Sequence, residues 1–499
     1  MPQIGLVDLG SNNARLVVYE YQPGAWFRLV DDISEPIRLG EGLGTTGRLT
    51  TGAIARGLAA LDLFSDYAAA ARLDELLILG TSALRDAGNA ELFTSAAQPL
   101  GFTIRVLSGE EEAQLGVLAV ANGFAVEDAW VMDLGGGSAQ ISRMKKRRYA
   151  RGEAYPLGAV RLTESFLASD PPRRSQVKEL EERVGKFLAP VARALAKDDL
   201  PWIAMGGTIR NLAEAVQEAT AYPLSLLHGY FLRREHLDGL IERMQAVKSA
   251  ERSRIAGINP DRADVILAGA LVYRWLLAAS GREGLTVSGH GMREGAFYQR
   301  FLPAPHRLAE VRRFSIANLT ARFGLATAHT AHVRRLARQL FDGLAPLHGL
   351  SAAEADLLDA AASLHDVGIT VNYYRHHRHG SYILEAESLP GLSHREHALL
   401  IELVRLHHKG LPRLDRFRQL LRPGDKELLL RLTTCLRLAE ALERSRAQRI
   451  ERVEVQPGDR VIRLGLVSAE EPAVEAWEAA KHGPLVKLAF GRRLVIETA

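Results

Sequence analysis

The chain has 499 residues, 47% of them hydrophobic, and 63 basic residues against 59 acidic ones give a formal charge of +4. At about 100–200 residues per domain the length implies three or four cores, and the near-balanced charge does not announce a nucleic-acid binder, leaving any polyanion affinity to local clusters. A lone cysteine, Cys435, excludes an intramolecular disulfide. The start MPQIGLVDLG has neither the basic region nor the apolar run of a signal peptide, and no apolar stretch reaches the roughly 18 residues of a membrane span, so a soluble, cytoplasmic protein is expected.

From residue 1 to about 303, strand and helix signals alternate. Strands are predicted at 4–7, 16–21, 27–33, 76–80, 103–107, 129–133, 139–144, 202–205 and 285–288, with helical patterns such as 51–71 and 111–121 between them. This region is α/β. One unit occurs twice: a buried strand, an aspartate, a glycine turn and a departing strand, first at Asp8, Gly10, Ser11 and Asn12, then at Asp133, Gly135, Gly136, Gly137 and Ser138. The repeat implies two similar lobes meeting near residue 123. Past Pro303 the pattern becomes helical, at 315–323, 327–344, 352–364, 393–407 and 425–446, and the tail from 450 reads as a small α+β cap. The expected domains are therefore 1–123, 124–303, 304–447 and 448–499.

A glycine turn can aim several backbone N–H groups at one anion, and an aspartate beside it can hold a divalent cation. Two such turns point to a two-lobed phosphate-binding cleft. Met205-Gly206-Gly207-Thr208 and Ser288-Gly289-His290-Gly291-Met292-Arg293 repeat the order of strand, glycine and helix, and a helix N-terminus suits an anion. In Ser108-Gly109-Glu110-Glu111-Glu112, three acids open a helix. They suit the helix dipole, and one of them facing phosphate would have reason to accept a proton from water. Arg85 ends the segment Gly80-Thr81-Ser82-Ala83-Leu84, from where it can grip a phosphoryl oxygen.

In order, DLGSNNARL, LGEGL with TGRLT, GTSALRDAGN, SGEEEA, MDLGGGSAQ, MGGT and SGHGMREG resemble the exopolyphosphatase and guanosine pentaphosphate phosphohydrolase (Ppx/GppA) family over residues 1 to 300. The resemblance implies two lobes of the actin-like fold shared by sugar kinases and Hsp70-like ATPases, followed by an all-α domain and a small α+β domain. It makes Glu112 the catalytic glutamate, Arg85 and Arg293 cleft arginines, and Asp8 and Asp133 ligands of Mg²⁺, with Mn²⁺ as a substitute. Gly10, Ser11, Asn12, Arg15, Gly135, Gly136, Gly137, Ser138, Gly206, Gly207 and Thr208 become phosphate-binding residues. Gln114 departs from the arginine that many relatives carry after Glu-Ala. The implied activity is release of terminal orthophosphate from inorganic polyphosphate. Alternatives are removal of the 5′ γ-phosphate of guanosine pentaphosphate (pppGpp) and a non-catalytic nucleotide sensor, while a homodimer is the expected assembly. A kinase or chaperone-like ATPase on the same fold is disfavoured by SGEEEA.

In the helical region His332, His365, Asp366 and Glu440 have the ligand mix of a transition-metal site and resemble the HD phosphohydrolase domain, with glutamate where that domain usually has aspartate. An inherited site without turnover is expected there. Histidines also crowd at His376, His377, His379, His407 and His408, where they could line a polyphosphate path. The run Lys145-Lys146-Arg147-Arg148 is expected to be a solvated turn or a guide for polyanions.

Overall fold

Five strands build the first sheet: β1 (Gln3–Leu9), β2 (Asn13–Gln22), β3 (Trp26–Pro36), β4 (Glu75–Gly80) and β5 (Ile104–Val106), in the order β3-β2-β1-β4-β5. Strand β1 pairs antiparallel with β2 and parallel with β4, and Ile4, Leu6, Val7 and Leu9 along it are fully buried, as a central strand covered on both faces requires. The second sheet consists of β6 (Ala129–Leu134), β7 (Ala139–Lys145), β8 (Arg148–Tyr155), β9 (Trp202–Met205), β10 (Phe231–Arg233) and β11 (Gly284–Val287). Its order is β10-β11-β9-β6-β7-β8, so β8-β7-β6-β9-β11 repeats the first sheet strand for strand. This duplicated sheet is the actin-like fold. The computed structural model describes residues 1–498, and these strands belong to a first unit, Met1–Val311; Arg312–Ala499 forms a second.

Helices fill the faces by their apolar periodicity. Thr51–Ala71 is capped by the Thr50 side chain and buries Ala53, Gly57, Ala60, Leu61 and Phe64 on one stripe. Two helices tie the sheets together. Gly109–Gly123 follows β5 but packs Val117, Val120 and Ala121 against Val131, Met144 and Met205 of the second sheet. Met292–Phe301 follows β11 but stacks Phe297 on Tyr19 of β2, ring centroids 4.3 Å apart.

The turn between β7 and β8 leaves Lys145, Lys146 and Arg148 exposed, as a solvated turn requires, and departs from that expectation at Arg147. Lys146 and Arg147 both have left-handed φ angles, 49° and 57°. The Arg147 guanidinium turns inward and donates to the carbonyls of Ala121 at 2.8 Å, Leu308 at 2.8 Å and Ala309 at 3.2 Å. A guanidinium has five donors in a fixed fork, and these carbonyls lack helix or sheet partners of their own, which is why this member of the run is structural.

The second unit is helical at first, with Ala328–Gly343, Ala352–Leu364, His376–Ala386, His394–Leu406 and Asp425–Ala441 as its main helices. The last stops five residues short of the predicted 446, where Arg446 takes a left-handed φ of 57°. Strands β12 (Ile450–Pro457), β13 (Val461–Ser468) and β14 (Arg493–Thr498) close the chain as a three-stranded sheet. Strands β13 and β14 are parallel, and the helices Ala473–Ala480 and Gly483–Phe490 supply the crossover that parallel pairing needs. Among the described residues no helix is long and apolar enough to cross a membrane.

Candidate active site

The duplicated strands deliver the same device twice. Asp8 lies one residue from the end of β1, and the turn after it closes through Gly10 N–H to the Asn13 carbonyl at 3.0 Å; Asp133 holds the same place in β6, and Gly135 N–H meets the Ser138 carbonyl at 3.0 Å. The two turns abut. A Cβ on Gly137 would stand 2.6 Å from Ser82 Oγ and 2.9 Å from Ser11 Oγ, so only glycine lets the second turn approach the first this closely. Between the turns and the N-terminus of Gly207–Ala219 lies a cavity of about 130 Å³. Gly206, at φ 99°, is in a conformation side chains avoid, and a Cβ there would come within 2.6 Å of Asp133 Oδ1.

Asp8, Gly10, Ser11, Asn12, Arg15, Glu112, Asp133, Gly135, Gly136, Ser138, Gly206, Gly207 and Arg293 all border this cavity. Arg15 stands at its edge with its guanidinium in a two-pronged pair with Asp32. Thr208 is set deeper, 4% exposed, its methyl close to Gly269. Arg85 does not present a free guanidinium to the cavity: its Nη1 donates to Glu112 Oε2 at 3.0 Å and to the Leu107 carbonyl at 2.9 Å, so it holds the glutamate in place.

Charge is crowded here. Burial, and then the nearby Asp133, push the Glu112 carboxyl up to about 7, against the opposing pull of Arg85. Burial and Asp8 push Asp133 up to about 6, and burial raises Asp8, whose Oδ1 is enclosed without a hydrogen-bond partner. The cations are crowded too: burial and then Arg293 bring Arg210 down to about 10, and burial lowers Arg262. Carboxylates that repel one another around an orphaned oxygen fit a divalent cation, and arginines that repel one another fit a bound phosphate. Arg210 and Arg262 were not among the residues singled out from the sequence. Arg210 stands three residues after the Gly206-Gly207 pair, which is a usable signal. Arg262 arrives from the distant turn Pro260–Arg262, its guanidinium lying where a Gly207 Cβ would be, and nothing in its own neighbourhood marks it.

In the second unit a separate cluster forms. His365 Nε2 lies 3.2 Å from Glu440 Oε2 and 3.6 Å from Asp366 Oδ1; His376 Nε2 lies 3.5 Å from Asp366 Oδ1 and 2.8 Å from His407 Nε2. His332 does not join it. His329, one helical turn earlier, stands 3.4 Å from Glu440 and 3.7 Å from Asp366, whereas His332 faces Glu443 at 3.5 Å. Arg335 donates to His332 Nδ1, which leaves the proton on Nε2 and that nitrogen unfit to bind a cation.

A doubled strand order, paired glycine turns and facing aspartates and arginines define a phosphate-handling protein of the actin-like fold. A profile of the Ppx/GppA phosphatase family matches residues 17–303, and one of Ppx/GppA phosphatase domain III matches residues 311–471; the chain belongs to this family. Exopolyphosphatase 2 of Mycobacterium tuberculosis is 30% identical over 312 residues, 59% of this chain and 97% of that protein. A guanosine-5'-triphosphate,3'-diphosphate pyrophosphatase of Vibrio atlanticus is 26% identical over 458 residues, 90% of this chain and 88% of that protein. The crystal structure of the Aquifex aeolicus family member superposes with a TM-score of 0.51 at 28% identity, covering 59% of this chain and 96% of that one. An exopolyphosphatase from Cytophaga hutchinsonii shares the fold, with a TM-score of 0.56 at 24% identity over 60% of this chain and 97% of that one.

Proposed function

We propose that the chain is a phosphoanhydride hydrolase that releases terminal orthophosphate from inorganic polyphosphate in the cleft of its first unit, with Glu112 as general base. The observation that carries this reading is the placement of Glu112, 12% exposed, tethered by Arg85 and lifted to about 7 beside paired phosphate-binding turns. A carboxylate of that basicity takes a proton from water far better than an ordinary surface glutamate. Arg85 aims it. Backbone N–H groups of the turns at Gly10 to Asn12 and Gly135 to Ser138 take the phosphoryl oxygens, and Arg210, Arg262 and Arg293 spread the charge that develops on the transferring group. Asp8 and Asp133 would hold a divalent cation, Mg²⁺ by preference for an all-oxygen site, which when bound neutralises phosphate charge.

The pppGpp reading has one specific observation in its favour: the Vibrio pyrophosphatase matches across both units, whereas the mycobacterial exopolyphosphatase matches over 59% of the chain. Both substrates present the same terminal anhydride. Orthophosphate release from long-chain polyphosphate, pppGpp, GTP and ATP, measured side by side with Mg²⁺, decides between them. Polyphosphate turned over fastest supports the primary reading, pppGpp turned over fastest transfers it to the alternative, and release from none refutes both.

A further inference from the structure

The helix Gly109–Gly123 carries Glu112 in its first turn and ends roughly 16 Å further on, at 1.5 Å per residue. That far end meets the turn from β11 into Met292–Phe301, the helix that brings Arg293 to the cleft. His228 stands where the two meet. It is held in place by its neighbours, because Gly229 N–H donates to the Val287 carbonyl at 2.9 Å and Val287 N–H to the Tyr230 carbonyl at 2.8 Å, which lays this segment against the end of β11. Its ring stacks on Phe124 and on His290, with centroids 4.3 Å and 4.6 Å away. Two glycines make room for it. A Cβ on Gly123 would come within 2.9 Å of the His228 ring, and one on Gly289 within 3.1 Å of the His228 Cβ.

The hydrogen bonds of this ring fix its proton. Nε2 lies 2.8 Å from the Gly123 carbonyl, which only accepts, so Nε2 carries the hydrogen; Nδ1 lies 3.3 Å from the Gly289 N–H, which only donates, so Nδ1 keeps its lone pair. Both contacts are met by one neutral tautomer. The chain of bonds then continues into the cleft. Ser288 Oγ donates to the His290 carbonyl at 2.8 Å and accepts from the His290 N–H at 3.1 Å, which closes the turn around Gly289. The Gly289 carbonyl accepts from Arg210 Nη1 at 3.0 Å, and the Gly206 carbonyl accepts from Arg210 Nε at 3.3 Å. Two carbonyls on one side of a rigid fork set the plane of the guanidinium that borders the phosphate cavity. Gly123, His228, Gly289 and Arg210 thus form one line of hydrogen bonds, running from the end of the helix that carries the base to a cation of the facing lobe.

We propose that His228 is a positioning residue for the reaction: as a neutral strut between Gly123 and Gly289 it fixes Arg210 relative to the helix of Glu112, so that base and cation meet the same phosphoryl group. The inference rests on the reading of the cleft as a hydrolase site. His228 itself touches no substrate; it acts through Arg210.

The test is a double-mutant cycle on the full chain with polyphosphate and Mg²⁺. His228→Phe keeps a ring in the stack and deletes both hydrogen bonds, so it should lower kcat by about 10–10²-fold, the scale of a misplaced catalytic group, with KM nearly unchanged. Arg210→Ala should lower kcat at least as far, and adding His228→Phe to it should cost nothing more, because the strut then has nothing to aim. Losses that multiply in the double variant, or a His228→Phe protein with ordinary kcat, overturn the proposal. A second measurement needs no catalysis. In the unaltered protein the imidazole ¹⁵N signals of His228 should be those of a neutral ring with its hydrogen on Nε2, and the Arg210 Nε–H signal should move in His228→Phe; the opposite tautomer, or an unmoved arginine signal, overturns the strut. An unaltered protein that releases no orthophosphate refutes the reading of the cleft instead, and the nitrogen signals still decide whether His228 holds Arg210.

Discussion

Glu112 stands between opposing influences, burial and Asp133 raising its carboxyl and Arg85 lowering it. A base works only when ionised, so activity falls as pH drops through its pKa and levels off above it. The acid limb of kcat/KM is expected above the ordinary 4.5 and no higher than about 7, moving down as added divalent cation offsets the charge of Asp133. Arg85→Ala removes the group that favours the carboxylate, so the limb should move up by about one unit or more. A lowered kcat with an unmoved limb would instead make Arg85 a phosphoryl ligand. Gly206 is the other telling position. Gly206→Ala forces a Cβ toward Asp133 Oδ1 at an unfavourable φ, so it should lower the unfolding temperature, and displacing that carboxylate should cost on the order of 10²-fold in kcat beyond that loss of stability. Near-normal turnover would show that Asp133 need not stay where it is.

At the scale of elements, the β1 and β6 devices were legible because every signal in them is local: apolar strand, aspartate, glycine turn, apolar strand. Arg262 was not, since only folding carries the turn Pro260–Arg262 over Gly207. His329 and His332 show a different limit. Both are buried on Ala328–Gly343, one turn apart, and helical periodicity cannot tell which one faces Asp366. In the basic run at the β7–β8 turn, composition implies solvent and Lys145, Lys146 and Arg148 are exposed, but it could not single out Arg147, which is spent on three backbone carbonyls. Arg147→Ala should therefore destabilise the first unit by about 1–3 kcal/mol, the cost of leaving such groups unsatisfied, while Lys145→Ala should be close to neutral. Denaturant unfolding of the two variants checks this, and equal stability of both would return the run to the role of a solvated turn.

For the whole molecule, a polymer and a nucleotide make different demands. Polyphosphate can engage many basic side chains at once, and each exposed contact weakens with salt over a Debye length of about 8–10 Å. KM for polyphosphate should fall as the chain lengthens and rise steeply with ionic strength, whereas KM for pppGpp should rise much less. A KM independent of chain length would favour the nucleotide. Removing divalent metal with a chelator should abolish release from either substrate, and Asp133→Ala should reproduce that loss at ordinary Mg²⁺. The most direct test remains a single substitution that keeps shape and hydrogen-bonding reach while deleting the base. With polyphosphate and Mg²⁺, Glu112→Gln is expected to lower kcat by about 10²–10⁴-fold with KM nearly unchanged; turnover close to that of the unaltered protein would contradict the assignment of Glu112 as the group that activates water.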